Sequence, residues 1–242
     1  MCTIASITQN GKCFMLKNFD YRPVPTGWSL FEPFQGDIAH FALVDHAQQG
    51  LNSGLNRSGL GLQISRSKCD DPTPERLESR TILNAEVLSR FETVTESVSH
   101  IEDYAAANPS MFGGNVMLAD DNHISITEYF NGTSQSDILE EGFLVRTNHS
   151  VFGLIDNQSE NSLTRFGEMT SFVETLYQEL QDLSDEEILR SCREHLRTDP
   201  ILTQNTRSSF VINIHRKTVH YMLGTGSWKV FEFTDEHVPA QI

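Results

Sequence analysis

Alternating apolar and polar residues at the start of the chain predict a β-hairpin. The run from Cys2 to Thr8 alternates, breaks at Asn10-Gly11 and resumes from Phe14 towards Tyr21. Successive side chains of a strand point to opposite faces, and Asn-Gly favours tight hairpin turns, so the two runs are expected to pair as antiparallel strands. The first residue of this hairpin after Met1 is a thiol.

Strand-like patterns recur along the rest of the chain, and they are predicted at 38–46, 60–65, 114–119, 124–130, 143–146, 209–215, 218–223 and 228–233. The segment 50–61 is rich in Gly and Asn and is predicted as a tight turn between paired strands. Prolines between residues 21 and 34 exclude a regular helix or a central strand there. The large aromatic residues of that loop, Trp28 among them, either line a pocket or cap the core.

Apolar residues at helical spacing predict four helices, at 74–88, 93–107, 164–180 and 185–196. Thr73 and Pro74 fit an N-cap and a first helical position, and Ser184 with Glu187 forms a capping-box sequence. The order of strands, helices, strands, helices and strands is typical of an α+β fold, with antiparallel sheets and helices packed outside. No break in composition divides the chain, so residues 1–242 are expected to form a single domain.

The composition excludes several classes of function. A net charge of -15, with 18 basic residues spread over 242, argues against a nucleic-acid surface or an anionic membrane surface. No apolar run is long enough to span a membrane, and the N-terminus lacks the pattern of a secretory signal. The four cysteines fit neither a disulfide framework nor a zinc motif, and no HExxH sequence occurs. We therefore expect a cytoplasmic protein with reduced thiols and no metal.

The position of Cys2 gives it a chemical option that an internal cysteine lacks. Removal of Met1 would leave a thiol and a free α-amine on one residue. The α-amine titrates at about 7.7–8.0 in model peptides, so it can accept the proton of its own nucleophile. The alternative is a small buried hydrophobe, which is the common role of a free cysteine.

Several short motifs occur in the order seen in one enzyme group: Met1-Cys2-Thr3, 17–21 (KNFDY), 55–60 (LNRSGL), the hairpin 118–128, 147–149 (TNH), and Ser162 with Arg165. Together they resemble the N-terminal-nucleophile hydrolases with a cysteine nucleophile. This group holds the choloylglycine hydrolases, the penicillin V acylases and the acyl-coenzyme A:6-aminopenicillanic acid acyltransferases. The resemblance implies a four-layer αββα sandwich, two antiparallel sheets between helical layers.

The resemblance also implies roles for individual residues. Cys2 would be the nucleophile and its α-amine the base, with Asp20 orienting that amine. Asn56 and Asn148 would donate to the oxyanion of the tetrahedral intermediate, and Arg165 would favour the thiolate. Lys17 stands where the family usually has arginine; it keeps the charge but loses the planar fork. Substrate contacts are expected from four residues, Asn18, Tyr21, Trp28 and His149, the last lining the site or packing without titrating in catalysis.

The predicted reaction is acyl transfer from a small-molecule amide or acyl thioester, through an acyl-enzyme on Cys2, to water or an amine. Thr147-Asn148-His149 favours the acyltransferase branch, for which acyl-coenzyme A is one candidate co-substrate; no cofactor is expected. Homo-oligomers are expected by analogy alone. The alternative is a catalytically inactive protein of the same fold that serves as a small-molecule binding or assembly module, an alternative that the substitution at Lys17 keeps open.

Overall fold

The computed structural model describes residues 2–20, 29–30, 37–45, 50–67, 74–155 and 158–233, and these form two antiparallel sheets. Sheet A has the strand order β10-β1-β2-β11-β12-β13. Its strands are β1 (Cys2–Gln9), β2 (Lys12–Asp20), β10 (Gly142–Arg146), β11 (Thr206–Asn213), β12 (Thr218–Leu223) and β13 (Lys229–Glu232).

Sheet B runs in chain order from β3 to β9. Its strands are β3 (Ser29–Leu30), β4 (His40–Asp45), β5 (Gly50–Asn56), β6 (Gly61–Arg66), β7 (Gly114–Ala119), β8 (Ile124–Phe130) and β9 (Thr133–Leu139). The described helices are α1 (Pro74–Arg90), α2 (Val94–Ala107), α3 (Glu160–Glu179) and α4 (Asp185–His195).

Three apolar clusters hold four layers together. One cluster joins α1 and α2 to the outer face of sheet B, and another joins α3 and α4 to the outer face of sheet A. The third lies between the sheets and includes Ile4 and Met15 of sheet A and Met117 and Ile126 of sheet B. The predicted αββα sandwich is therefore confirmed.

The opening hairpin forms as predicted. Cys2 pairs with Phe19 and Gln9 pairs with Lys12, so β1 and β2 are in register along their whole length. Asn10 and Gly11 have φ angles of 50° and 76°, the conformation that a two-residue hairpin turn requires of both central residues. Because side chains alternate, Cys2 and Ile4 share one face of sheet A and Thr3 lies on the other.

The prediction of a turn at 50–61 is wrong for its first half, where β5 is a central strand of sheet B. Gly54 of this strand serves close packing rather than a turn: a Cβ there would collide with Leu88 Cδ1 of α1 and would lie 3.0 Å from the carbonyl of Phe41. The glycine thus lets helix α1 approach the sheet. The turn proper is confined to residues 57–60, after Asn56.

Two other elements differ from their predictions. Strand β9 was not predicted, because its side chains are largely exposed at the edge of sheet B and show no apolar alternation. Helix α3 begins at Glu160, four residues before the predicted start, since Ser159 caps it by accepting from Ser162 N. The capping box of α4 is confirmed, with Ser184 and Glu187 bonded reciprocally. Thr73, Tyr21 and Trp28 lie outside the described residues.

We predict that His195, at the end of α4, makes the free energy of unfolding depend on pH in the acidic range. Its ring stacks on Phe172 of α3 at 3.9 Å between centroids, and burial lowers the pKa of His195 to about 4. Because the unfolded chain has a pKa near 6.5, this group's contribution is complete above about pH 6.5 and is lost as the pH falls towards 4. Between these values the wild type should lose roughly 1–2 kcal/mol more unfolding free energy than His195→Phe. Urea denaturation across this range measures it, and parallel pH curves for the two proteins would contradict it.

Candidate active site

The first turn of α3 holds the segment Thr147-Asn148-His149, which follows β10. Ser162 Oγ accepts from Asn148 N at 2.9 Å and lies 2.8 Å from Thr147 Oγ1. Thr147 Oγ1 also donates to the carbonyl of Ser162 at 3.0 Å. Since Arg165 is three residues after Ser162, it lies on the same face of the helix and points to the same segment.

The guanidinium of Arg165 is fully buried and ties this segment to the start of β1. Its Nη1 donates to the carbonyl of Cys2 at 2.8 Å and to Thr3 Oγ1 at 2.7 Å, while Nη2 donates to Asn148 Oδ1 at 3.1 Å. Nε donates to Asn161 Oδ1 at 3.1 Å. Burial lowers the pKa of Arg165, and Asp20 opposes that shift. One side chain thus fixes three separate parts of the chain.

The main chain of Cys2 is held at both ends. Its nitrogen donates to Asn148 Oδ1 at 2.8 Å, and its carbonyl accepts from Arg165. The side chain shares its face with Ile4, so the thiol is directed into the space between the sheets. Cys13 and Cys192 are also buried free thiols, and burial raises the pKa of both. Those two thiols are therefore held protonated and are poor nucleophiles.

Asp20 lies on the opposite face of sheet A from the Cys2 side chain. Its Oδ1 accepts from Thr206 Oγ1 at 2.5 Å, and its Oδ2 is 3.9 Å from Arg165 Nη1. Burial raises the pKa of Asp20, partly offset by the Thr206 hydrogen bond and by Arg165. The carboxylate is therefore connected to Cys2 through Arg165, and its predicted effect on the α-amine stays a prediction.

Lys17 shares the face of Cys2 and bridges the two sheets. Its ammonium donates to the carbonyls of Asn52 at 2.9 Å and Ile64 at 2.7 Å, and also to Asn52 Oδ1. It lies 5.6 Å from the ring of Phe19, the residue paired with Cys2. These contacts place Lys17 beside the thiol as a tie between β2 and sheet B, and its catalytic role stays a prediction.

The structure does not bring Asn56 to this site, so its predicted role as an oxyanion donor stays a prediction that its contacts do not support. Its Nδ2 donates to the carbonyls of Leu88 and Phe91, and its Oδ1 accepts from the nitrogens of Gly59 and Leu60. Strand β6 begins beside this turn and ends at Arg66, whose carbonyl accepts from Asn148 Nδ2 at 2.6 Å. A six-residue strand spans about 17 Å. The amide of Asn56 shapes a turn and the end of α1 at the far end of that strand.

Asn18 and His149 face the helices rather than the space between the sheets. The amide of Asn18 donates to the carbonyls of Leu196 and Ile201 and accepts from Ser209 Oγ. Its predicted substrate contact stays a prediction, and its contacts instead show that it fastens the end of α4. His149 packs edge-on against Phe166, and burial lowers the pKa of its ring. Of the two roles predicted for His149, its contacts support packing.

A row of polar side chains on sheet B faces the space that receives the thiol, and sequence patterns did not single it out. Ser65, Asn115 and Glu128 lie side by side on three neighbouring strands. Gln63, two residues before Ser65 on the same face, is fully buried, and both of its side-chain polar atoms lack hydrogen-bond partners among the described residues. The available signal was its place in β6, where Leu62 and Ile64 face the helices and the residues between them face inwards.

Glu128 anchors the segment after Asn148. It accepts from the nitrogens of Val151 and Phe152 at 3.0 and 3.2 Å and from Ser150 Oγ.

Within the described parts of the chain, no three His, Cys, Asp or Glu side chains are grouped as a metal site. Nor does any described helix combine the length and the apolar character needed to cross a membrane.

Comparison with known families agrees with this arrangement. The model of the acyl-coenzyme A:6-aminopenicillanic acid acyl-transferase family matches residues 7–230. The chain belongs to this family. The match covers most of the chain and confirms the resemblance seen in the short motifs. No curated protein sequence matches the chain significantly.

The solved structures that share this fold are distant from the chain in sequence. Penicillin V acylase from Agrobacterium tumefaciens has a TM-score of 0.66 at 16% identity, covering 97% of this chain and 87% of its own. A conjugated bile acid hydrolase from Clostridium perfringens has a TM-score of 0.66 at 13% identity, with coverage of 96% and 92%. A Caenorhabditis elegans ortholog of N-acylethanolamine-hydrolyzing acid amidase has a TM-score of 0.58 at 15% identity, with coverage of 89% and 93%. These likenesses concern the fold.

We predict that Arg165→Met destabilises the protein by roughly 3–5 kcal/mol, because it leaves a buried carboxylate and buried carbonyl and amide oxygens without their donor. Arg216→Met is a matched control, since Arg216 pairs with Asp185 but its side chain is 64% exposed. Exposed pairs contribute about 0–1 kcal/mol. Urea denaturation measures both, and equal losses in the two variants would contradict the central position of Arg165.

Proposed function

We propose that this protein transfers acyl groups through a thioester on Cys2, which acts as an N-terminal nucleophile once Met1 is removed. Family membership supports acyl transfer or amide hydrolysis in general. The observation that carries the cysteine assignment is the anchoring of Cys2 at both main-chain ends, by Asn148 and Arg165. A residue used only for packing would not need hydrogen bonds between its main chain and the side chains of a buried arginine and an asparagine.

Removal of Met1 would turn the nitrogen of Cys2 into an α-amine that already faces Asn148 Oδ1 at 2.8 Å. This contact would orient the amine so that its lone pair can accept the proton of the thiol. The thiolate then attacks the carbonyl of the donor, and the leaving amine or thiol takes the proton from the α-ammonium. Water or an acceptor amine, deprotonated by the same α-amine, then attacks the thioester carbonyl. The carbon–sulfur bond breaks, the acyl group leaves on the acceptor, and the Cys2 thiolate takes the proton back from the α-ammonium.

The oxyanion needs a donor in place of Asn56, and Gln63 is our candidate. Its amide is buried on the face of sheet B that meets the thiol, and it has no partner among the described residues. The carbonyl of its neighbour Ile64 accepts a hydrogen bond from Lys17, which lies on the same face of sheet A as Cys2. Gln63 is therefore close to the face of sheet A that carries the thiol. An amide that gains its hydrogen bond only as the oxyanion forms stabilises the transition state selectively.

The substrate is proposed to be a small-molecule amide or an acyl thioester. Structural relatives bear the names of a penicillin V acylase, a bile acid hydrolase and an N-acylethanolamine-hydrolyzing amidase, all of which act on amides. Acyl-coenzyme A as donor, a cytoplasmic location and a homo-oligomeric state remain predictions. No observation favours the inactive alternative, which rested on the substitution at Lys17. The ammonium of Lys17 is hydrogen-bonded to the carbonyls of Asn52 and Ile64.

We predict that the wild-type protein forms a covalent acyl adduct on Cys2. Incubation with 4-nitrophenyl butyrate, followed by mass measurement of the intact protein, should show one butyryl group on molecules that lack Met1. The Cys2→Ala variant should show none. Cys13 and Cys192 serve as internal controls, because burial raises the pKa of both thiols. An unmodified wild type, or equal acylation of molecules that retain Met1, would overturn the proposal.

We predict opposite effects for two amide substitutions. Gln63→Leu removes a buried amide that has no described partner, so stability should hold or rise while the acylation rate falls by roughly 10²-fold or more. Asn56→Ala removes four hydrogen bonds, so it should cost about 2–4 kcal/mol of stability and leave the acylation rate of the folded protein nearly unchanged. Urea denaturation and stopped-flow acylation separate the two effects. An acylation rate lost in Asn56→Ala and kept in Gln63→Leu would reverse the two assignments.

A further inference from the structure

Arg80 of helix α1 is a buried cation that has no counter-charge among the described side chains. The residue is only 5% exposed, and its Nη1 is buried without a hydrogen-bond partner in the described parts of the chain. Among the same residues no carboxylate lies within ion-pair distance of its guanidinium. An unpaired buried charge is costly, and proteins normally pair such groups or use them to bind a ligand.

A second arginine lies at the same place. The guanidinium carbons of Arg66 and Arg80 are 4.6 Å and 5.4 Å from the ring centroid of the fully buried Phe112. The two cations are therefore no more than about 10 Å apart, where like charges repel in a partly buried setting. Stacking on one aromatic ring offsets a small part of that repulsion, whereas an anion in contact with Arg80 would offset it directly.

The position of Arg80 is well fixed. Asn84, one helical turn later on the same face of α1, donates from Nδ2 to the carbonyl of Leu51 in strand β5 at 3.0 Å. This bond anchors the helix to sheet B and keeps the Arg80 side chain directed towards Phe112 and the end of β6. A preorganised guanidinium loses little freedom on binding, which favours recognition of a planar or tetrahedral oxyanion.

The main chain of Arg66 is connected to Cys2 through Asn148. The carbonyl of Arg66 accepts from Asn148 Nδ2 at 2.6 Å, and Asn148 Oδ1 accepts from Cys2 N at 2.8 Å. The main chain of Arg66 is therefore within about 8 Å of the nitrogen of Cys2. Arg66 has the same alternation as Leu62 and Ile64, so its side chain lies on the helix side of sheet B. A small molecule whose carbonyl lies at the thiol would therefore reach the arginines past the end of β6.

We propose that Arg80 and Arg66 form a binding site for an oxyanion, a carboxylate or a phosphate, carried by the molecule that acylates Cys2. The anion site stands on the buried guanidinium of Arg80, whose Nη1 has no partner among the residues that the structure describes. Its use by an acyl donor rests on the proposed function. A carboxylate would come from an acidic amide substrate, and a phosphate from the nucleotide part of an acyl thioester.

The experiment uses the full-length Cys2→Ala variant, which cannot form an acyl-enzyme. Sodium propionate and inorganic phosphate are titrated separately at constant ionic strength, and binding is followed by the Nε–Hε signals of the arginines in ¹⁵N-labelled protein. At least one anion should shift the Arg80 signal in a saturable way, and the better-bound anion identifies the source. In the Arg80→Met background the affinity should fall roughly tenfold or more.

Arg90→Met is the matched control, because Arg90 lies on the same helix and stacks on Phe91 at 5.8 Å but is exposed. It removes the same charge and should leave anion binding unchanged. A second measurement tests a purely structural role. Without added anion, Arg80→Met should be at least as resistant to urea as the wild type, since an apolar chain replaces an unpaired buried charge.

The proposal is overturned if neither anion shifts the Arg80 signal, or if Arg80→Met and Arg90→Met weaken binding equally. It is also overturned if Arg80→Met is less stable than the wild type in the absence of anion, since Arg80 would then be a packing residue. Binding is measured without Cys2, so failure of the anion site and failure of Cys2 acylation are separate results.

Discussion

The site depends on the buried guanidinium of Arg165. From one turn of α3 it reaches the carbonyl of Cys2, the hydroxyl of Thr3 and the amide oxygen of Asn148, with the carboxylate of Asp20 at 3.9 Å. A fully buried cation is tolerated only where acceptors converge on it. Strand β1 is paired with β2 from Cys2 onwards and with β10 from Ile4 onwards. Arg165 adds side-chain hydrogen bonds to Cys2 and Thr3, and so ties the start of this strand to α3.

The two faces of sheet A carry different groups of the site. The outer face holds the Arg165 network and Asp20, while the inner face holds the thiol and Lys17. Cys2 links the two faces, because its main chain is bound by Asn148 and Arg165 while its side chain lies on the inner face. The charges around Arg165 are therefore separated from the inner face by the sheet itself. Asp20 lies on the outer face and is connected to Cys2 through Arg165.

Periodicity predicted most of the strands and the order of the four layers, because alternation and helical spacing reflect burial directly. It failed at β5, where Gly54 and its neighbours have turn-forming side chains but are held in a central strand by close contact with α1. The predicted role of Asn56 came from the family resemblance, and the structure holds that residue apart from Cys2. The motif around that residue specifies a turn correctly, yet a local pattern does not report the strand length that separates the turn from Cys2. Asn18 shows the same limit, since only the packing of α4 reveals where its amide points.

The lysine at position 17 is better explained by its acceptors than by the arginine it replaces. An ammonium offers three donors from a compact charge, and its acceptors include two carbonyl oxygens and one side-chain oxygen, drawn from Asn52 and Ile64. A planar guanidinium matches a carboxylate, but no carboxylate is among these acceptors. Because they belong to sheet B and Lys17 belongs to β2, the bond fixes the separation of the sheets beside the thiol. The substitution therefore changes what holds the inner face together and leaves the anchoring of Cys2 to Arg165 and Asn148.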